Sequence, residues 1–462
     1  MSAKLPNGWT RVSMGDVGRW VGGGTPSKAN PRFWNNGTIP WVSPKDMKVN
    51  LIDDTQDHIT HEAVEKSTTN LVEPGSLLIV VRSGILQHTL PIAVTGRQVA
   101  LNQDLKAVKP KEHIRSDYLA LALKAREREI LQTCTKTGTT VQSLELPVFL
   151  RYEIPLAPFH VQKRVVEEIE KQFTRLDAGV AALKRVQANL KRYRAAVLKA
   201  ACEGRLVPTE AELARKEKRS FESATQLITK TPTPPRPNRW NSRSQDVIFG
   251  HSALAVGNPN TKLPNGWAWV PLVEIAKMES GHTPSRRHPE WWNGDVAWIG
   301  IADAREHDGR TIHDTLQHTN AEGISNSASR VLPTGTVCIS RTASVGYVVV
   351  MGREMATSQD FVNWVPSSAV TSDWLRVVFS ADREALRRFG KGSVHKTVYF
   401  PEWLSIHIAL PPLAEQTRIV AEVDRRLSVV EELEVMIASN LQRAAHLRQS
   451  ILQKAFTGKL CN

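Results

Sequence analysis

The chain has 462 residues, 41% of them hydrophobic, which allows roughly two to four globular domains and argues against an intrinsically disordered protein. Its 60 Lys and Arg residues against 46 Asp and Glu residues give a formal net charge of +14, and this excess favours a polyanionic partner such as nucleic acid. Four scattered cysteines without a C-x-x-C spacing, and the lack of any run of about 18 apolar residues, argue against a disulfide framework, a zinc knuckle and a membrane span, and favour the cytoplasm.

The first predicted domain spans residues 1–157. Its short β-branched runs are bounded by Gly and Pro, as at 77–81 (Leu-Leu-Ile-Val-Val), and such runs predict strands. Near its end, the stretch from Asp117 to about Leu131 predicts a helix. The combination predicts a compact α+β domain.

The second predicted element, residues 158–206, is a long helix. Between 159 and 203 there is no Pro and one Gly, and apolar residues recur at alternating spacings of four and three. The resulting seam runs through Ile169, Phe173, Leu176, Val180, Leu183, Gln187, Leu190, Arg194, Val197 and Ala201. This heptad rhythm predicts a coiled coil, with an ordinary amphipathic helix packed on a domain core as the alternative. Gly204, and Gly458 at the end of a second long helix described below, predict left-handed helix caps.

Residues 207–262 join the two halves of the chain. The stretch from Ala211 to about Thr229 predicts a charged helix. The Pro-rich stretch at 231–237 then predicts a stiff, polyproline-like linker. This segment has no counterpart in the second half.

The rest of the chain repeats the first half, as a domain at 263–411 and a long helix at 412–462. Leu-Pro-Asn-Gly-Trp at 5–9 returns at 263–267, and Thr-Pro-Ser at 25–27 returns at 283–285. The second helix repeats the seam in the same register, through Val423, Leu427, Val430, Glu434, Ile437, Leu441, Ala444, Arg448, Ile451 and Ala455. A repeat on this scale predicts a duplicated domain. Two matched long helices predict an intramolecular antiparallel coiled coil.

The sequence lacks the motifs of nucleotide or methyl-transfer enzymes. It has no G-x-x-x-x-G-K-[ST], the glycines at 22–24 lack the spacing of a dinucleotide loop, and no Asn/Asp-Pro-Pro-aromatic motif occurs. His58 and His61 have no third metal ligand in view and are expected to be surface histidines. Catalysis is therefore not expected in this chain.

Three loops in each half combine hydroxyl, amide and cationic side chains, which can contact DNA phosphates and base edges. The candidates in the first domain are Thr25, Ser27, Lys28, Arg32, Lys45, Arg82, Ser83, Gln87, His88, Lys136, Thr139 and Gln142. Those in the second domain are Thr283, Ser285, Arg286, Arg287, Arg305, Arg341, Thr342, Ser344, Lys391, Ser393, His395 and Lys396. The alternative is that these loops are simply turns.

Other repeated residues are expected to be structural. They are the tryptophan pairs Trp34 with Trp292 and Trp41 with Trp298, and the Gln-Asp pairs at 103–104 and 359–360. Large aromatic rings gain by burial, whereas long cations gain little. We therefore assign packing to the tryptophans and DNA contact to the cations.

The order of globular domain, long helix, globular domain and long helix resembles the specificity subunit of type I restriction-modification systems over essentially the whole chain. The resemblance is carried by Leu-Pro-Asn-Gly-Trp at the start of each half, by the Thr-Pro-Ser turn with the tryptophan that follows it, and by the helix openings. The family's usual Pro-Pro-Leu-x-Glu-Gln is intact at 411–416, but residues 157–162 read Ala-Pro-Phe-His-Val-Gln. This departure suggests that two contacts with modification subunits are unequal.

The resemblance implies a non-catalytic subunit that binds double-stranded DNA in a bacterial or archaeal cytoplasm. Each target-recognition domain would read one half of a split, asymmetric site, and the helices would set the spacer and dock two methyltransferase (modification) subunits. No cofactor is expected in this chain, because S-adenosylmethionine, ATP and Mg²⁺ would belong to those subunits and to the restriction/translocase subunits. A helix of about 45 residues is roughly 65–70 Å long, enough to span major grooves about 34–36 Å apart.

Two other functions stay open from the sequence alone. One is a divergent DNA methyltransferase, which would bind S-adenosylmethionine by itself. The other is a non-catalytic coiled-coil adaptor for proteins, whose tryptophans would form peptide or glycan pockets. DNA binding through phosphates would weaken steeply between about 50 and 200 mM salt, whereas neither alternative requires such a response.

Overall fold

The computed structural model describes residues 5–136, 141–235, 255–342, 344–390 and 396–460. The chain divides into a first unit, Met1–Arg185 with Ile437–Asn462, and a second unit, Val186–Met436. Each unit contains one globular α+β part and portions of both long helices. The domain boundaries expected from the sequence remain predictions.

The first unit is built around a five-stranded sheet and a smaller four-stranded sheet. The larger sheet has the order Gly18–Gly22, Leu105–Pro110, Leu77–Val80, Ile92–Thr95 and Leu51–Ile52. The smaller has the order Asp57–Ile59, Ile39–Val42, Val99–Leu101 and Leu71–Val72. Two-stranded pairs join Thr10–Ser13 with Glu153–Leu156, and Thr135–Lys136 with Ser143–Leu144. The short helices are His61–Glu65, Ser116–Ala125, Glu127–Thr133 and Leu146–Arg151, with 3-10 turns at Pro31–Phe33 and Gly84–Gln87.

The second unit repeats this arrangement. Its five-stranded sheet has the order Ala276–Ser280, Phe361–Pro366, Val337–Ser340, Val348–Met351 and Arg310–Ile312. Two three-stranded sheets have the orders Gln317–Thr319, Trp292–Ile299, Ala356–Thr357 and Ala255–Val256, His407–Leu410, Ala268–Pro271. The short helices are Ile301–Glu306, Ala321–Ser325, Ser372–Ala381, Arg383–Phe389 and Phe400–Leu404, with 3-10 turns at Leu272–Glu274 and Pro289–Trp291.

The central strand Leu77–Val80 is buried on both faces, which explains its unbroken apolar sequence. Leu77 and Ile79 pack with the helix residue Leu119, while Leu78 and Val80 pack with the smaller sheet. The larger sheet therefore lies between a helical layer and the smaller sheet. The second unit divides the side chains of Val337–Ser340 between two clusters in the same way.

The two long helices are Phe159–Cys202 and Leu413–Ala455, with 44 and 43 residues. Every position of the predicted seams except Gln187 is buried or half-buried. In the first unit, Val165 and Ile169 share a core with Ile451 and Ala455, and in the second unit, Val197 and Ala201 share a core with Ile419 and Val423. Within both units the two helices therefore run antiparallel, and the predicted coiled coil is confirmed.

Charged residues of the seam are paired across the two helices. In the second unit, Arg194 donates to Glu434 at 3.2 Å. In the first unit, Arg448 pairs with Asp177 and lies 4.2 Å from the centre of the Phe173 ring. Ion pairs at such positions fix the register of a coiled coil more than its stability.

The predicted glycine caps are present at the ends of both long helices. Gly204 has φ of +65° and Gly458 has φ of +73°, the left-handed region that residues other than glycine rarely adopt. Both glycines also contact a proline of a Leu-Pro-Asn-Gly-Trp motif, since an added Cβ would lie 2.3 Å from Pro264 Cγ and 2.2 Å from Pro6 Cγ respectively. The end of each helix therefore packs closely on the start of a globular part.

A buried glutamine joins the start of each long helix to its globular part. Gln416 Oε1 accepts from the Thr371 backbone N–H at 2.9 Å, and its Nε2 donates to the carbonyls of Ala369 and Pro411 at 3.0 and 3.1 Å. Gln162 makes the same three bonds, with the N–H of Arg115 and with the carbonyls of His113 and Ala157. The glutamine shared by the two helix openings is thus an internal clamp.

Replacing this clamp is expected to lower stability measurably. Gln416→Met keeps the size of the side chain but leaves one buried N–H and two carbonyls without their partner, so we expect a loss of about 1–3 kcal/mol in the free energy of unfolding. Gln442→Met, at an exposed position on the same helix, should stay within about 0.5 kcal/mol. Equal denaturation midpoints for both variants would show that the clamp is not needed.

The segment between the halves differs from its prediction. The sequence indicated one charged helix from Ala211 to about Thr229, but the structure has two, Glu210–Glu217 and Ala224–Lys230. The first ends because Lys218 adopts a left-handed conformation, with φ of +56°. The second begins at a new capping box, in which Ser223 and Gln226 bond to each other's backbone N–H. Residues 236–237 of the Pro-rich stretch lie outside the described residues.

Candidate nucleic-acid interface

Two parallel strands in the smaller sheet of each unit bring several loops to one edge. Ile39–Val42 runs parallel to Val99–Leu101, and Trp292–Ile299 runs parallel to Ala356–Thr357. The carboxyl ends of parallel strands lie at the same side of a sheet, so the loops that follow these strands are neighbours. We call this side the carboxyl edge and define it by residues 23–28, 43–46, 57 and 102–104 in the first unit, and 281–286, 300–303, 317 and 358–360 in the second.

In the first unit, hydrogen bonds and packed tryptophan rings hold the Thr-Pro-Ser turn at the carboxyl edge. Thr25 Oγ1 donates to Gln103 Oε1. Trp41 Nε1 donates to the carbonyl of Gly24, and Trp34 Nε1 to that of Ser27, both at 3.1 Å. The two indole rings contact each other edge to face, 5.2 Å apart. Ring packing and hydrogen bonds together fix the turn.

The second unit builds the same turn with the repeated residues. Thr283 Oγ1 donates to Gln359 Oε1. Trp298 Nε1 donates to the carbonyl of His282 at 3.1 Å, and Trp292 Nε1 to that of Ser285 at 3.4 Å. The repeated tryptophans and Gln-Asp pairs therefore have structural roles in both units, as their recurrence indicated.

Glycine precedes this turn in both units because the main chain approaches the Gln-Asp turn closely. A Cβ added to Gly23 would lie 1.9 Å from the carbonyl oxygen of Asn102, and one added to Gly281 would lie 1.9 Å from that of Ser358. Atoms do not approach so closely without moving, and the obstructing atom is main chain. Each glycine thus lets the Thr-Pro-Ser turn lie directly on the Gln-Asp turn.

Adding one methyl group at Gly23 is expected to displace the turn. Gly23→Ala must separate two main-chain segments, and overpacking of this kind costs about 1–3 kcal/mol in the free energy of unfolding. Gly84→Ala is the matched control, because an added Cβ there meets nothing within 4 Å. Denaturant titration of the two variants checks this prediction, and a Gly23→Ala protein as stable as the control would contradict it.

The loop after the central strand joins the Gln-Asp turn as well. The backbone N–H of Arg82 donates to the carbonyl of Asp104 at 3.3 Å, and that of Arg341 donates to the carbonyl of Asp360 at 2.7 Å. Arg341 also donates through Nε to the Gln359 carbonyl at 3.1 Å and is partly buried, which lowers the pKa of its guanidinium. The Arg82 side chain is exposed.

The third predicted loop lies beside the second. The Ser83 N–H donates to the carbonyl of Gln142 at 3.1 Å, and Thr342 forms a β-bridge with Thr397. Lys136 and Lys396 are exposed. Four predicted site residues of this loop, namely Thr139, Lys391, Ser393 and His395, lie outside the described residues. In each unit the first two predicted loops thus meet at the Gln-Asp turn, and the described residues next to or in the third loop lie beside the second loop.

The side chains of the remaining candidates differ in their exposure to solvent and in their pairing with other residues. Exposed side chains are those of Ser27, Lys28, Arg32, Gln87, His88, Ser285, Arg287 and Arg305, whereas Ser344 is half-buried. Lys45 forms an ion pair with Asp57 at 2.8 Å, which raises the pKa of the lysine. Arg286 Nη2 donates to Gln317 Oε1 at 2.6 Å, and its guanidinium lies 4.0 Å from the centre of the Trp292 ring.

Asp57 and Gln317 were not among the residues selected from the sequence. A repeated pattern could have identified them, because each lies three residues after an aspartate and one before a histidine. In the structure these flanking residues bond to each other, His58 to Asp54 and His318 to Asp314, both at 2.7 Å.

No group of three or more His, Cys, Asp and Glu side chains within the described ranges could hold a metal ion. Among the helices that the structure describes, none has the length and apolar character of a membrane span.

Comparison with known proteins identifies the family. The model described as "Type I restriction modification DNA specificity domain" matches residues 6–190 and 264–434. The EcoR124I/EcoR124II specificity subunit of Escherichia coli is 41% identical over 182 residues, or 39% of this chain and 45% of the relative. The MjaIX specificity subunit of Methanocaldococcus jannaschii is 26% identical over 183 residues, 40% of its length. The alignments thus span less than half of these two curated relatives.

Longer matches are more distant in sequence. The EcoKI specificity subunit of Escherichia coli K12 is 20% identical over 100% of this chain and 91% of its own. A chain from a structural study of assembly and conformational transition in the type I restriction-modification system has a TM-score of 0.70, 18% identity, and coverage of 99% of this chain and 100% of its own. The HsdS subunit from Thermoanaerobacter tengcongensis has a TM-score of 0.53 at 19% identity over 99% of this chain and 98% of its own. Because the family model matches more than half of the chain, including the globular part of each half and the first part of each long helix, the chain belongs to the specificity-subunit family of type I restriction-modification systems.

Proposed function

We propose that this chain is the sequence-specific DNA-binding subunit of a type I restriction-modification complex, and that each unit reads one half of a bipartite, asymmetric site. The main support is the carboxyl edge, where both units build the same scaffold of turns but present different side chains. Lys28 is aligned with Arg286, and Lys45 with Ala302. A shared scaffold with different exposed groups suits two half-sites that differ in sequence.

In this proposal, exposed cations on both units contact phosphates, while amides, hydroxyls and the ordered Arg286 contact base edges. The net charge of +14 supports a strong phosphate component. The paired helices set the spacer, since 44 and 43 residues correspond to roughly 65 Å of helix.

We further propose that catalysis belongs to partner subunits. Two modification subunits would bind the helices and supply S-adenosylmethionine-dependent adenine methylation, and restriction subunits would use ATP and Mg²⁺. The match to a DNA specificity domain supports this division, as does the lack of a nucleotide-binding motif in the sequence. Binding of S-adenosylmethionine by the isolated chain would instead support a divergent methyltransferase.

The openings of the two long helices, where the modification subunits would dock, differ because of the segment at 209–230. Glu415 is buried, which raises its pKa, and it accepts from Trp267 Nε1 at 2.9 Å and from the Glu210 N–H at 2.8 Å. Glu210 also pairs with Arg418 at 2.6 Å. The glutamate of the family motif thus anchors a segment of this chain. At the start of the first helix Val161 replaces it, which supports unequal docking of two modification subunits.

A salt titration tests the DNA-binding proposal directly. The purified chain, alone and with its modification subunit, should bind duplex DNA with an affinity that falls by orders of magnitude between about 50 and 200 mM salt. At moderate salt, only duplexes containing the methylated site of the host genome should remain bound. Binding that does not respond to salt, or the same affinity for every duplex, would contradict the proposal and favour a protein adaptor.

A further inference from the structure

The backbone around Asp57 in the first unit is built like that around Gln317 in the second. The hydroxyl of Thr55 donates to the carbonyl of Asp57 at 2.7 Å, and the hydroxyl of Thr315 donates to that of Gln317 at 2.7 Å. The flanking aspartate–histidine pairs described above are also the same. The two positions are therefore structurally equivalent, although they carry different side chains.

Both positions lie on the carboxyl edge. Asp57 is the register partner of Trp41, and Gln317 is the register partner of Trp298, next to the end of a parallel strand. These are the tryptophans that support the Thr-Pro-Ser turn. Both side chains are partly or fully exposed, so each can contact a ligand that lies against this edge.

The equivalent side chains bind cations that come from different loops. In the first unit the cation is Lys45, which follows the parallel strand and lies 2.8 Å from Asp57. The second unit has Ala302 there, and the equivalence is fixed by the next residue. The Ser43 N–H donates to Asp46 Oδ2 and the Gly300 N–H to Asp303 Oδ2, both at 2.9 Å.

In the second unit the cation instead comes from the Thr-Pro-Ser turn. Arg286 donates to Gln317 at 2.6 Å while its guanidinium stacks over Trp292 at 4.0 Å. Its counterpart Lys28 is exposed and has no ring stacked beneath its ammonium group in the described part of the first unit. The carboxylate of Asp57 neutralises Lys45, whereas the neutral amide of Gln317 orients Arg286 and leaves its charge in place.

We propose that the equivalent positions 57 and 317 determine the sequence specificity of the two units, an inference that rests on the proposed DNA-binding function. Asp57 presents only hydrogen-bond acceptors, which suit a base-edge donor such as the amino group of cytosine. Gln317 presents an amide and holds Arg286 as a rigid fork, and these groups suit adenine and guanine edges. The two units therefore differ both in the reading group at this position and in the cation beside it.

The reciprocal variants Asp57→Gln and Gln317→Asp test this inference in the full chain assembled with its modification subunit. Methylated adenines are mapped by sequencing on a library of duplexes randomised in one half-site at a time. We expect Asp57→Gln to change the preference at one base pair of the first half-site by about tenfold or more, and Gln317→Asp to do so in the second. Each variant should leave the other half-site unchanged.

Two further variants separate specificity from folding. Gln56→Glu alters charge at the adjacent exposed residue, whose backbone N–H rather than side chain bonds to Asp46, and it should leave both half-sites unchanged. Asp57→Asn keeps the shape of the side chain while releasing Lys45, and it should relax the same base pair as Asp57→Gln. Folded, methylating variants with the wild-type preference at every base pair would overturn the inference. A wild-type complex with no sequence preference would instead refute the proposed function.

Discussion

A fragment of residues 1–207 is expected to pair with a second copy of itself and to direct methylation to an inverted repeat of the first half-site. The fragment holds one globular part and one long helix, and two such halves can close around a two-fold axis. The first unit already shows the contacts that a second copy must provide, because its core combines the globular part with the end of the second long helix.

The polar contacts of such a dimer can be read from the equivalent residues. In the chain, Arg448 pairs with Asp177 and stacks on Phe173. Arg194 holds the position of Arg448 in the heptad seam, so in the dimer the Arg194 of one copy would meet Asp177 and Phe173 of the other. The repeated arginine is therefore paired with a carboxylate and does not oppose another arginine.

One apolar contact of the full chain would be weaker in the fragment dimer. Phe456 is buried and packs 5.1 Å from the Tyr118 ring, and its equivalent in the first helix is Cys202. Exchanging a buried phenylalanine for a small side chain costs about 3–5 kcal/mol. We therefore expect Cys202→Phe in the fragment to strengthen dimerisation strongly, whereas Tyr193→Phe at an exposed helix position should not.

Sedimentation of the fragment and sequencing of its methylated adenines, with the modification subunit present, decide the outcome. A symmetric site, with a tighter dimer for Cys202→Phe, is the expected result. A fragment that stays monomeric even as Cys202→Phe, or a site that remains asymmetric, would contradict the pairing of equivalent halves.

Inserting four residues after Ala188 is expected to abolish assembly or to change the gap between half-sites. Four residues add about 6 Å at 1.5 Å per residue and shift the seven-residue phase of the seam. Arg194, which bonds to Glu434, and Val197, which shares a core with Val423, would then be displaced by about 6 Å along the second helix. Seam contacts on the two sides of the insertion could not both keep their present partners.

The matched control inserts the same four residues after Pro234, in the Pro-rich stretch outside both long helices. This control should assemble and methylate the wild-type site. The measurement is a methylation map on duplexes whose spacer varies by single base pairs. An unchanged spacer and unchanged activity for the Ala188 insertion would show that the helices do not set the spacing.

Sequence reasoning was most successful where a periodic pattern decided the structure. The seam from Ile169 to Ala201 follows from the alternating apolar spacings, because only one face of each helix can be buried in a pair. The glycine caps followed from residue chemistry, since Gly204 and Gly458 tolerate positive φ. The duplication also predicted the structural role of the repeated tryptophans and Gln-Asp pairs, because residues that support a turn must recur wherever that turn recurs.

Features that depend on contacts between distant segments were not predictable in the same way. Glu415 was interpreted as part of a partner-binding motif, yet its side chain binds Trp267 and Glu210 within the chain. The roles of Asp57 and Gln317 depend on cations from other loops, and no local pattern specifies those pairs. The charged stretch forms two helices because the first ends at Lys218 and a new capping box at Ser223 begins the second. The composition of the stretch does not predict this break.

Exchanging residues 263–411 for the second domain of another family member tests the central claim most directly. The complex of this chimera with the modification subunit is compared with the wild-type complex by sequencing the adenines that each methylates. Because each unit builds its own carboxyl edge from its own residues, only one half of the methylated site should change, and the spacer should stay the same. A chimera that methylates a site altered in both halves, or altered in neither, would contradict independent reading by the two units.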